Sequence, residues 1–171
     1  MPYFTTISPT CEPGGKPAAW ERFRDGGYIA IGWCYDTDLT GRSIEEILRL
    51  VPGTSGNARD EKDGIHSFPN FWELCQRGAV GSGDYVAVKN VNHGLFGVGL
   101  IKSGYRYSRH KHDTGELDHF YPHYLDVEWV WTDYIPSGSL DFARDECWRP
   151  YGTIGQLYRE LPAFIRPYTR V

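Results

Sequence analysis

No apolar run in this sequence approaches the ~18 residues that a membrane-spanning helix needs, and its first residues do not predict a secretory leader. It also lacks an excess of positive charge. Lys and Arg number 18 against 22 Asp and Glu, for a net charge of −4 and a pI near 5.8. A protein that gathers nucleic acid by its overall field is excluded, so phosphate contacts would need a local patch. The four cysteines, Cys11, Cys34, Cys75 and Cys147, lie far apart with no CxxC pair. That usage fits reduced thiols in a cytoplasmic protein, two of them in the core. GxSxG, HExxH and Walker motifs are missing, and no acid cluster precedes the Glu-x-Lys expected of a nuclease. No catalytic residue and no cofactor is assigned on these grounds. Any cleavage role would belong to another domain or chain.

Aromatic surface is abundant instead: 15% of residues, including six Trp and twelve Tyr. Without repeat or linker, the 171 residues form one domain, 1–171, long enough to bury a core without disulfides or metal. Gly83 to Tyr107 is the most informative stretch. Asp84 to Asn90 alternates, Asn92-His93-Gly94 supplies turn chemistry, and Leu95 to Ser103 returns as a strand. Gly97 and Gly99 fall on one face of that strand and leave bare backbone there. A flat ligand or a neighbouring side chain could fill that space. Tyr105 and Tyr107 follow, interleaved with Lys102, Arg106, Arg109 and Lys111.

Other elements follow from periodicity. Strands are expected at Tyr3 to Ile7, Tyr28 to Trp33 and Tyr124 to Trp131, and a short helix at Ala18 to Arg24. Ser43 and Glu46 form a capping box ahead of the Ile44, Ile47, Leu48, Val51 stripe. The polar run Thr54 to Gly64 predicts a mobile loop, and Phe68 to Arg77 a second amphipathic helix. A last helix is expected after Thr153, with Ile154, Leu157, Tyr158 and Leu161 inward. The sum is an α+β fold with a curved mixed or antiparallel sheet, curled into a small barrel with flanking helices. His110, His112, His119 and His123 invite a metal reading, but the run is Gly/Asp-rich with no nearby cysteine, and no metal is assigned.

Several motifs occur in order: YIAIGW with Asp38-Leu39 behind it, a helix, GDYVAV, GVGLI with YRY, and a strand ending VEWVW. This order resembles an EVE domain of the PUA-like superfamily, which also holds YTH and ASCH domains. The likeness is closest to the EVE-type modules at the N-terminus of McrB-like, modification-dependent restriction systems. It covers roughly residues 1–135, leaving 136–171 as a C-terminal extension with one helix. The resemblance implies a PUA-like barrel that takes one flipped base into an aromatic cage. The expected ligand is DNA carrying a modified base such as 6-methyladenine or 5-methylcytosine, with RNA as the other possibility. It also implies an effector domain or chain, such as a nuclease or AAA+ motor. Carried over by position, Trp33 is the strand-end Trp, Asp38 the acid that follows, and Tyr105 or Tyr107 the aromatic after GVGLI. Trp20 falls near the same opening, so the implied cage is Trp20, Trp33, Asp38, Tyr105 and Tyr107.

The chemistry is coherent, because an extruded base needs stacking rings and a polar edge partner. Asp38 would accept from an exocyclic amine, and Lys102, Arg106, Arg109 and Lys111 would hold phosphates. Each residue has a structural alternative: core for Trp20 and Trp33, strand-end cover for the tyrosines, a turn for Asp38. Two other functions stay open. One is a small hydrolase or amidohydrolase of ASCH type, which needs Lys89 or Lys102 with Asp38 or Glu128 in one cavity. The other is a protein-interaction domain with a filled pocket.

Overall fold

Alternating sequence after Asp84 and around Leu125 builds two of the longer strands of a sheet, and three helices pack beside it. The computed structural model describes residues 4–7, 19–53, 58–90, 92–108, 121–139, 153–155 and 166–168. In chain order its elements are β1 (Phe4–Ile7), α1 (Trp20–Gly26), β2 (Tyr28–Ile31), α2 (Ile44–Leu50) and α3 (Ala58–Ala79). Then come β3 (Tyr85–Asn90), β4 (Gly94–Ile101), β5 (Arg106–Tyr107), β6 (His123–Trp131) and β7 (Ile135–Pro136). Short 3-10 turns follow at Ser137–Ser139 and Arg166–Tyr168.

The strands run in the order β1-β3-β4-β6-β2, with β5 added on β6 and β7 on β4. β1 pairs parallel with β3, and the other pairings are antiparallel. The fold is α+β, and among the described residues no pairing joins β1 to β2, so the sheet is not closed there into the small barrel expected from the sequence. The strand β6 holds the sheet together. Its first half pairs with β2 and β5, and its second half with β4.

The sequence patterns explain most of this. The Ser43 side chain accepts from the Glu46 N–H at 3.3 Å, and Glu46 accepts from the Ser43 N–H at 2.8 Å, so α2 starts on a complete capping box. Gly27, in the left-handed region, closes α1. Phe23, Ile29, Val86, Val88, Phe68, Phe71 and Leu125 are fully or almost fully buried. Each such side chain contributes about 1.5–3 kcal/mol of transfer free energy. Arg77, in the last turn of α3, grips the buried Asp84 carboxylate with Nε and, at 3.0 Å, with Nη2. That pair fixes the end of α3 to the start of β3. No helix among the described residues is long and apolar enough to cross a membrane.

Two expectations need correcting. Residues 58–64 are helical, not a loop, and they form the first turns of α3. They carry no apolar period because their side chains work at the helix edge: Glu61 accepts from the Gly53 N–H at 2.8 Å, and Asp63 from Ser67 and Thr153. The helix also runs through Pro69, which removes the bond to the carbonyl of Ile65. Burial of Phe68, Phe71, Leu74 and Cys75 outweighs that loss. The second correction is at Ile154, which makes an isolated antiparallel bridge with Ile7 and is not the first turn of a helix. The rest of that expected helix, Leu157, Tyr158 and Leu161, lies outside the described residues.

Candidate functional site

β2 stops at Ile31, two residues before the expected strand end. Trp33 and Cys34 take φ values of 63° and 46°, the left-handed region that costs an L-residue roughly 1–2 kcal/mol each. The corner persists because it is held from two sides. His123, at the start of β6, donates from Nε2 to the Trp33 carbonyl at 3.0 Å. The Trp33 indole packs on Phe68 of α3, with ring centroids 5.9 Å apart. Gly64 makes that approach possible, because a Cβ there would sit 2.8 Å from Val51 and 3.1 Å from the indole.

The facing side of the corner comes from an interruption between β4 and β5. Both strands pair with β6, Ile101 opposite Val127 and Arg106 opposite Tyr124. The residues between them outnumber those opposite, so the strand bulges and re-aims its side chains. Lys102 N–H still reaches the Asp126 carbonyl at 2.9 Å, and Ser103 Oγ accepts from the Asp126 N–H at 2.8 Å. As a result the Tyr105 ring lies between Trp72, at 5.2 Å, and His123, at 5.9 Å and nearly parallel. Its hydroxyl meets His123 Nδ1 at 2.9 Å and accepts from the Leu39 N–H at 3.0 Å. Tyr107 tilts against His123 at 5.5 Å and donates its hydroxyl to the Tyr35 carbonyl at 3.0 Å.

Hydrogen-bond chemistry fixes the proton positions. A carbonyl can only accept, so His123 Nε2 carries the proton facing Trp33. In the neutral ring Nδ1 is then an acceptor, and Tyr105 must donate to it. Burial drives the His123 pKa from 6.5 down to about 4, against the opposing pull of the Trp33 and Cys34 backbone and of Asp38. The ring is therefore neutral at pH 7. Burial likewise raises Tyr105 above the ordinary phenol value, and pushes the Cys34 thiol up to about 11 despite Arg42. Asp38 goes the other way. Its slight burial favours the neutral acid, but the Thr40 N–H at 2.9 Å and hydroxyl at 2.7 Å outweigh that and hold it ionised. Tyr105 faces the same carboxylate, yet its single proton is committed to His123, so Thr40 is the effective donor. The corner thus combines a neutral imidazole, two engaged phenols and an exposed carboxylate, with no nucleophile made more reactive.

Residues 7–144 match the family model for the domain of unknown function DUF8426. The chain belongs to this family. No curated protein matches it in sequence. The DUF8426 span holds every member of the corner, from Trp33 to His123.

Within the DUF8426 domain the expected site residues divide. Asp38, Tyr105 and Tyr107 come together, joined through Leu39, His123 and the backbone of Trp33 and Tyr35. Trp33 belongs to the same corner, but its side chain is only 5% exposed. Trp20 lies in a second cluster, 6% exposed, edge-on to Trp129 at 4.9 Å and 6.4 Å from Phe96. There it fills the space over the bare strand, since a Cβ on Gly97 would lie 2.2 Å from its ring. Gly99 is covered by Val127 and Trp129. The occupant of the glycine face is the protein itself.

The cations divide too. Lys102 pairs with Glu128 at 3.2 Å and Arg106 with Asp126 at 2.8 Å, all partly exposed. Arg109 and Lys111 lie outside the described residues, as do His110, His112 and His119. Lys89 is fully buried on β3. Among the described residues no group of three His, Cys, Asp or Glu could hold a metal ion. His123, Phe68 and Trp72 are the corner residues that sequence reasoning missed. The signal for His123 lay in the sequence, a histidine opening an alternating strand whose other members on its own face, Leu125, Val127, Trp129 and Trp131, are apolar.

Proposed function

We propose that this DUF8426 domain is a nucleic-acid-binding module that receives one extruded, modified nucleobase, with DNA as the favoured polymer, at the corner between β2 and β5. One observation carries the reading: Asp38, Tyr105 and Tyr107 share a single hydrogen-bonded corner although Leu39 and Tyr105 are 66 residues apart. The segment bearing Arg109 and Lys111 leaves from Ser108, whose N–H is tied to the Pro122 carbonyl beside it. In this reading Tyr107 is the stacking wall, and Asp38 is the edge acceptor. Both Thr40 bonds end on Asp38 Oδ1, which leaves Oδ2 for an exocyclic amine. Trp33 and Tyr105 back the wall, and Trp20 supports the sheet behind it.

Lys102 and Arg106 reach phosphate by exchanging partners. Exposed ion pairs contribute only ~0–1 kcal/mol, so a phosphate displaces Glu128 or Asp126 at little cost. Extruding a paired base costs a few kcal/mol, while one ring returns about 1–3 kcal/mol. The module is therefore expected to favour a base already unpaired or mismatched. The order of strands and motifs supports an EVE-type, PUA-like sheet in its open form. A cytoplasmic restriction or defence system, with the effector on another domain or chain, suits the motif order and the cysteine usage.

The test is fluorescence anisotropy with single- and double-stranded oligonucleotides, with and without 6-methyladenine or 5-methylcytosine, at two salt concentrations. Tyr107→Ala is expected to weaken binding about ten-fold with the fold intact, and Tyr107→Phe to retain it. Glu128→Gln is expected to strengthen it. Absence of binding at low salt, or an unchanged Tyr107→Ala, would refute the reading.

A further inference from the structure

Asp63, Ser67 and Asn70 stand at i, i+4 and i+7 on α3, one face of the helix. All three serve one short extended segment, residues 153–155. Asp63 Oδ1 accepts from the Thr153 N–H at 2.8 Å, and Oδ2 from the Thr153 hydroxyl at 2.7 Å. Ser67 Oγ accepts from the Ile154 N–H at 3.2 Å while donating to Asp63 at 3.1 Å. Asn70 Nδ2 donates to the Ile154 carbonyl at 3.2 Å. On the other side Ile154 bridges to Ile7 on β1, the last strand of the sheet path, and its side chain is 0% exposed in the core.

The segment is thus read group by group: two amides, a carbonyl, a hydroxyl and a branched apolar side chain. The reading side lies inside the span matched to the family, 7–144, and the segment that is read lies beyond it. We infer that α3 and β1 form a peptide-binding groove for an extended dipeptide of Thr or Ser followed by Ile or Val, which this chain fills with its own residues 153–155. Strand addition at the sheet edge supplies main-chain affinity, and side chains facing it supply selectivity. Asp63 sets the first position, because a β-hydroxyl offers its carboxylate a second, short-reach donor beside the amide. The enclosure around Ile154 sets the next. Among the described residues the segment is held by one bridge and by these side chains, and they are the contacts a competing peptide would take over.

The experiment uses the full chain and a fluorescein-labelled peptide with the sequence of residues 150–157. Thr153→Ala with Ile154→Ala empties the groove. The peptide is expected to bind this double variant saturably and the wild type at least about ten-fold more weakly, since the tethered segment competes. Adding Asp63→Asn to the double variant is expected to abolish binding. No binding to the folded double variant, or equal binding to wild type, overturns the inference. Hydrogen exchange on the wild type decides the matter if the double variant fails to fold. Amides of Thr153 and Ile154 are expected to exchange by local opening, faster than those of Val86 and Val88, and equal protection would overturn the inference.

Discussion

Acidification should put a charge on His123, a ring that the fold holds fully buried among Phe68, Tyr105 and Tyr107. The unfolded chain takes up a proton there near pH 6.5, the folded chain only near about 4. Because the folded value is depressed, the contribution is complete above pH 6.5 and is lost as the pH falls toward 4. At ~1.4 kcal/mol for each pH unit of separation the full loss is about 3 kcal/mol, most of it gone by about pH 4.5. Asp38 is the charged side chain facing the ring, and it opposes the effect, as do the carbonyls of Trp33 and Cys34. Carboxylates elsewhere also titrate in this range, so the wild type must be compared with His123→Gln, which keeps a donor for the Trp33 carbonyl but cannot ionise. Urea unfolding followed by tryptophan fluorescence should show the wild type losing about 2–3 kcal/mol more than the variant between about pH 7 and pH 4.5. A ring titration by NMR should find the imidazole neutral at about pH 5.5, protonated only on Nε2. Equal pH slopes in the two proteins, or a ring that titrates near 6.5, would refute the account of burial.

Two further changes probe the sheet. Gly97→Ala places a methyl 2.2 Å from the Trp20 ring, and is expected to cost about 1–3 kcal/mol in urea and to red-shift the tryptophan emission. A fully stable variant would mean the indole does not rest there. Asp84→Asn strips the charge from the carboxylate that Arg77 grips in the interior, and is expected to cost about 3 kcal/mol, at the low end for buried pairs because Arg77 is partly exposed. A loss well under 1 kcal/mol would show that the pair does not tie α3 to β3.

The candidate corner divides between what neighbours in sequence decide and what distant residues decide. The central hairpin, the capping box of α2 and the inward side of residues 68–75 were legible, because each depends on residues within one turn or one strand of each other. The start of α3 was not, since its first two turns have polar side chains whose partners, Gly53 and Thr153, lie in other segments. Strand parity carried Trp33 onto the face of Ile29 and Ile31, but a period of two holds only for extended backbone. Left-handed residues at 33 and 34 end it.

By itself, then, the sequence determined the central hairpin, the α2 cap, the α+β class, the aromatic supply and the bare glycine face of β4. Tertiary structure alone decided what covers that face, Trp20 on α1, and which rings meet at the corner. It also decided that His123 is neutral and that Tyr105 donates to it. The physical reason is range: torsional preference and periodicity act over a few residues, whereas desolvation and ring packing depend on whichever distant side chains the fold brings within contact.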